Sequence, residues 1–126
     1  MELYLDHERL DVYRFARQLN REVAELVALI PRGHGESIDN LIRAAKSVSR
    51  NIAEGAGKWH IADKTKFYRI ARGSATECAA SLDELVDYGI TTEENTRRPK
   101  QTAMRIIAML IAMIRSIEPR GRDMGT

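Results

Sequence analysis

The chain has 126 residues, a single cysteine, 6% aromatic and 30% charged residues, and a formal charge of +2. That length suits one domain with a core of its own, and one cysteine excludes an internal disulfide framework. The near-neutral total hides an uneven spread, −3 over residues 1–40, +6 over 43–72, −6 over 73–95 and +5 over 96–126, which bears on partners rather than on fold.

The first ten residues carry Glu2, Asp6 and Glu8 and no apolar run, so no signal peptide is expected and the cytoplasm is the expected compartment. Sustained alternation is absent, and helical periodicity runs through the chain. Asp6 is the candidate N-cap of a first helix over about 8–30, where Val12, Ala16, Leu19, Val23, Leu26 and Ile30 recur in steps of three and four. Pro31-Arg32-Gly33-His34-Gly35 stops it. Gly-x-Gly without a preceding strand is a helix-ending turn rather than a phosphate loop.

A second helix, about 37–57, has Ile38, Ile42, Ala45, Ser49, Ile52 and Ala56 on one face and Arg43, Lys46 and Arg50 on the other. Taken alone, that basic face is an ordinary solvated one. Gly55-Ala56-Gly57-Lys58 lacks the spacing and the Ser or Thr of a P-loop and reads as a C-terminal glycine cap. Asp63 is expected to cap a third helix, about 63–88, with Phe67, Ala71, Ser74, Cys78, Ser81 or Leu82, Leu85 and Tyr88 inside. Gly73 in its middle costs about 1 kcal/mol relative to Ala, which the close approach of a neighbouring backbone would offset.

The fourth helix is expected to start between Thr96 and Pro99, because Pro is tolerated in a first turn, and to reach about residue 118, with a flexible tail over 119–126. Its seam reads Ala103, Ile107, Leu110, Ile114 and Ile117. Within it, Ile106 to Ile114 is an unbroken run of nine apolar residues between Arg105 and Arg115. Spanning a bilayer takes about 20, so no membrane partner is expected. Ile106, Met109, Ile111 and Met113 lie outside the seam and would leave an apolar patch, the expected interface of a homo-oligomer.

Four such helices with short connections predict an all-α, antiparallel up-down-up-down four-helix bundle as one domain. That topology gathers Lys58, Lys64, Lys66, Arg69, Arg72, Arg115, Arg120 and Arg122 at one pole, and Asp83, Glu84, Asp87, Glu93 and Glu94 at the other. With Arg50, the basic set forms the candidate nucleic-acid-binding residues. It would grip RNA or DNA weakly, without sequence preference and with strong salt dependence. Copies in a ring would multiply the effect. Trp59 between Lys58 and His60 has two readings, a base-stacking side chain or a cap on the bundle core, and the cap is favoured.

Catalytic chemistry finds no support. Carboxylate-bridged metal sites in bundles need paired Glu-x-x-His motifs, which do not occur. His7, His34 and His60 fall at helix ends and turns, Cys78 lies on the core stripe, and Ser49 and Ser74 have no base that the sequence identifies. A non-enzyme without metal or cofactor is expected.

Two motifs remain, Asn51-Ile52-Ala53-Glu54-Gly55 at the end of the second helix and Ala71-Arg72-Gly73-Ser74 with Glu77 in the third. With Leu10-Asp11-Val12-Tyr13 and the Pro31-Arg32-Gly33 turn, they resemble the four-helix bundle family also called the 23S rRNA intervening-sequence protein family, over about Leu10 to Ile117. Ala56 departs from the pattern, since relatives often carry an aromatic residue there. The resemblance implies small cytoplasmic proteins assembled as homopentamers around a central channel, mostly without an established activity. Relatives include accessory variability determinant proteins of diversity-generating retroelements, which bind nucleic acid and partner a reverse transcriptase. A second expectation follows, a scaffold that recruits such a protein partner.

Within the motifs, Asn51, Glu54, Gly55, Gly73, Ser74 and Glu77 read as structural. Glu54 and Glu77 are expected to pair with Arg50, Arg69 or Arg72, Gly73 and Ala53 to let the helices approach, and Asn51 or Ser74 to hydrogen-bond across the gap. If the Glu77 pair is buried, Glu77→Ala should cost on the order of 3 kcal/mol.

Overall fold

Four stripes of apolar residues at helical spacing form four helices: α1, Asp11–Ala28; α2, Gly35–Ala56; α3, Ile61–Asp87; and α4, Glu93–Ile117. The structure, a computed structural model, describes residues 5–118. The expected tail over 119–126, with Arg120 and Arg122, lies outside the described residues, among which no strand occurs.

Several helix starts differ from expectation. A separate 3-10 turn, Asp6–Arg9, precedes α1, whose N-cap is the extended Leu10 and not Asp6. His60 stands at the N-cap of α3, so Asp63 falls in the first turn, where its charge complements the positive end of the helix dipole. The fourth helix begins at Glu93 because Thr92 caps it, its hydroxyl accepting from the Asn95 N–H at 3.1 Å. Pro99 therefore sits one turn deeper than expected, buried, and the helix forgoes the bond to the Asn95 carbonyl that Pro99 has no N–H to make.

Contacts across the helices run in opposite senses. Gly55, Ser47 and Arg43 of α2 meet Tyr68, Ser74 and Glu77 of α3; Arg69 and Asp83 of α3 meet Glu118, just past α4, and Lys100 within it. Phe15 and Glu22 of α1 meet Arg105 and Thr102 of α4. Each neighbour is thus antiparallel, and α2 packs most extensively on α3.

The α1 stripe buries Val12, Ala16, Leu19, Val23 and Leu26, while Ile30, its expected last member, lies past the helix end at Ala28 and is half-buried. In α2 the core face is Leu41, Ala44, Ala45, Val48 and Ile52, while Ile38 and Ile42 are half-buried and Ser49 accepts from Asn20 of α1 at 3.1 Å. Tyr68 rather than Phe67 enters the core of α3, and Tyr88 is exposed. The α4 seam runs through Ala103, Ile106, Leu110 and Ile114, with Ile107 at its edge. Adjacent apolar residues such as Leu41/Ile42 and Ile106/Ile107 offer two stripes about 100° apart, and the direction of the neighbouring helices selects one.

That selection corrects the expected interface. Ile106 is 0% exposed, and Met109 and Met113 pack half-buried against their own core, leaving Ile111 as the partly open member. One bundle covers most of the apolar run. No helix among the described residues is long and apolar enough to cross a membrane.

The close approach expected at Gly73 occurs at Gly55. A Cβ on Gly55 would lie 2.7 and 2.8 Å from ring carbons of Tyr68 and 3.1 Å from the Lys64 carbonyl oxygen, whereas one on Gly73 would meet nothing within 4 Å. Gly57 caps α2 in the right-handed region, at φ −80°, and the left-handed turn glycines are Gly33 and Gly89.

Candidate nucleic-acid interface

The antiparallel register brings the end of α2, the start of α3 and the end of α4 to one pole, and there the expected cations have different fates. Lys64 reaches back to the end of α2, its Nζ donating to the carbonyls of Gly55 at 3.2 Å and Ala56 at 2.8 Å. It thereby satisfies carbonyls that have no partner within their own helix. Lys58 lies 3.4 Å from Glu54 and holds its ammonium 5.3 Å from the Phe67 ring centroid, with Lys66 at 5.6 Å from the same ring. Arg69 donates to Thr65 Oγ1 at 3.4 Å and pairs with Glu118.

Arg72 and Arg115 are exposed and form no ion pair among the described residues. With Arg69, Ile111 and Ile114 they line a groove of about 260 Å³ between α3 and α4. Arg50 stands apart from this group, in a shallow groove with Asp39, Ile42, Arg43 and Lys46 along the outer face of α2. Trp59 does not cap the core. It is 93% exposed on the α2–α3 turn, followed by exposed Ile61.

A second basic surface was not anticipated. Arg14, Arg21 and Arg105 surround a groove of about 470 Å³ between α1 and α4, with Asp11, Phe15 and Gln18. The Arg105 guanidinium lies over the Phe15 ring, 4.6 Å from its centroid, and Arg14 pairs with Asp11 at 3.3 Å. Asp11, Arg14, Gln18 and Arg21 recur at helical spacing on one side of α1, which was the available signal. Arg105 joins them only through the packing of α4. At the acidic end, Asp83, Asp87 and Glu93 share a groove with Arg97 and Lys100. Lys100 donates to Asp83 at 2.6 Å, and that hydrogen bond, with the charge of Asp83, raises the lysine above its ordinary pKa.

The motif residues act between α2 and α3. Ser74 Oγ lies 2.7 Å from Ser47 Oγ, and Asn51 Nδ2 donates to the Ser47 carbonyl at 2.8 Å and to its hydroxyl at 3.0 Å. Ser47, absent from the motifs, is the hub of this set. Glu77 pairs with Arg43 at 2.6 Å and Glu54 with Lys58, not with Arg50, Arg69 or Arg72. The side chains of Arg43 and Glu77 are 61% and 46% exposed, so the pair is not a buried one and its expected worth falls below about 1 kcal/mol.

The buried carboxylate is Glu22, 7% exposed on α1. It accepts from Thr102 Oγ1 at 2.6 Å and Gln18 Nε2 at 3.4 Å, with Arg98 Nε at 3.9 Å. Its spacing, three residues after Leu19 and four before Leu26, places it on the flank of the core stripe, a signal that sequence reasoning did not use. Cys78 is buried, and burial followed by the charge of Glu77 pushes its thiol up to about 12, a poor nucleophile at neutral pH. Among the described residues no three His, Cys, Asp or Glu side chains are grouped to hold a metal ion.

No curated protein matches the chain. A family model described as 23S rRNA-intervening sequence protein matches residues 8–112, which takes in α1 to α3, most of α4 and both motifs. The chain therefore belongs to the 23S rRNA-intervening sequence protein family.

Proposed function

We propose that this protein is a non-enzymatic, oligomeric bundle whose α2–α3 end binds the phosphates of RNA or DNA weakly and without sequence preference. The observation that carries this reading is that Lys66, Arg72 and Arg115 stand exposed at or near one end with no carboxylate partner among the described residues. Such cations hold counterions that a polyanion releases, and Asp83, Asp87 and Glu93 at the opposite end orient the molecule on it. The family's description, which refers to 23S rRNA intervening sequences, puts RNA first among polyanions. Cys78, the strongest nucleophile by type, keeps its proton in the core, which favours binding over catalysis.

A few phosphate contacts per subunit give low affinity. Assembly into the homopentamer that the family resemblance implies would raise the effective concentration of each site. Fluorescence anisotropy with a structured RNA tests the reading. Binding in the micromolar range is expected at about 50 mM salt, with a log–log salt slope of about −3 if four phosphates are neutralised. Arg72→Glu together with Arg115→Glu should weaken it about tenfold or more. Absence of binding at that salt, or an affinity indifferent to salt, overturns the reading. Light scattering that finds only the 14.3 kDa monomer removes the multivalent part.

A further inference from the structure

Trp59 is the chain's one tryptophan, and the fold leaves it 93% exposed where the favoured of its two sequence readings was a cap on the core and the other a base-stacking side chain. An indole can bury about 150–250 Å², so leaving it in water is costly unless something covers it. The core does not need it, because Ala56, Thr65 and Tyr68 are buried at this end without its help. Its turn is short and anchored on both sides: the N–H groups of Gly57 and Lys58 donate to Ala53 and Gly55 at 3.2 Å, and that of Lys64 to His60 at 3.0 Å.

From Glu54 to Lys66, three lysines stand against two acids, Glu54 and the exposed Asp63. Lys58 and Lys66 converge on the Phe67 ring from positions either side of Trp59 in the chain, and Glu54, the nearest acid on α2, is occupied by Lys58. A flat apolar face on a fixed turn, at the end of the bundle where Lys66 stands without a carboxylate partner among the described residues, matches a nucleobase carrying its phosphates. Paired bases in a duplex hide their faces in the stack, so only an unpaired nucleotide offers one.

We infer that Trp59 is a stacking post for an unpaired base, with the unpaired Lys66 holding an adjacent phosphate. The inference rests on the nucleic-acid reading above and narrows its ligand to single-stranded or looped segments. Because Trp59 is the sole indole, its emission reports directly on the site. Titration with a single-stranded oligonucleotide of about ten nucleotides should quench that emission, and a blunt duplex of the same sequence should not. Trp59→Ala, at so exposed a position, keeps the fold; it should weaken single-strand binding about fivefold or more and leave duplex binding unchanged, with Trp59→Phe partly restoring it.

If single strands bind with salt sensitivity but Trp59→Ala matches the parent and the emission does not move, the stacking post falls and the basic end stands. If neither oligonucleotide binds, both fall. A blue shift that grows with protein concentration alone assigns the indole to a contact between copies, and one produced by anionic vesicles but not by oligonucleotides assigns it to a lipid surface. Either result overturns the proposal.

Discussion

The α2–α3 seam and the α1–α4 seam solve the same packing problem differently. Small buried residues are frequent on the two helices of the first, Ala44, Ala45 and Gly55 on α2 and Ala71, Ser74 and Ala75 on α3, and its inner polar content is the neutral Ser47–Ser74–Asn51 set, with the Arg43–Glu77 pair at the rim. The second makes less extensive backbone contact and buries a carboxylate, Glu22, served by Thr102, Gln18 and Arg98. Short hydroxyls can satisfy one another where backbones nearly touch. A carboxylate needs room for several donors, and long side chains from the rim supply them. Close approach also depends on which glycine meets a ring: Gly55 lies against Tyr68, while Gly73, exposed on α3, faces open space.

The largest expected effect concerns the inner face of α4. Ile106→Ala should cost about 2–5 kcal/mol in urea unfolding, and Ile107→Ala clearly less; equal losses would mean that α4 is rotated from the face described. Gly55→Ala should destabilise by about 1–3 kcal/mol, because the buried Tyr68 ring must move. Gly73→Ala should instead stabilise by about 0.5–1 kcal/mol, and a shared sign for the two substitutions would break the contrast between these positions. In the other seam, Thr102→Val should cost about 1 kcal/mol, since Glu22 keeps Gln18 and Arg98 after losing its shortest bond.

Rim pairs should matter least. Glu77→Ala is expected to lower stability by less than about 1 kcal/mol and to lose even that in high salt; a larger loss would mean that the pair with Arg43 is shielded after all. Lys100, raised by its bond to Asp83, contributes stability that is fully present below the ordinary lysine pKa and is lost as pH rises through the raised folded value. Side-chain NMR should find its titration returned toward the ordinary range in Asp83→Asn, and an unchanged midpoint would remove the pairing.

Much of this was legible in the residues. The α1 stripe of Val12, Ala16, Leu19, Val23 and Leu26 forms one apolar face, with Glu22 its one buried polar neighbour, so one orientation buries it, and the turn at Gly33 marked its end. Reading failed where a signal was missed or two competed. The start of α4 was placed by Pro99 alone, between Thr96 and Pro99, and the Thr92 cap that sets it at Glu93 went unread; a proline one turn further in costs the helix one hydrogen bond. Leu41/Ile42 and Ile106/Ile107 each presented two possible faces.

The basic pole shows the same division. Its residue types and their convergence at one end followed from chain order and helix length, but not which of them stay free. Lys64 is taken by the carbonyls ending α2, Lys58 by Glu54 and Arg69 by Glu118, and Trp59 turns outward. The residues alone determined helical class, the number of segments and the family motifs, because periodicity, capping and turn chemistry are local. The face each helix buries and the cations left unpaired were decided by tertiary structure, because burial and ion pairing depend on neighbours that only folding brings into range.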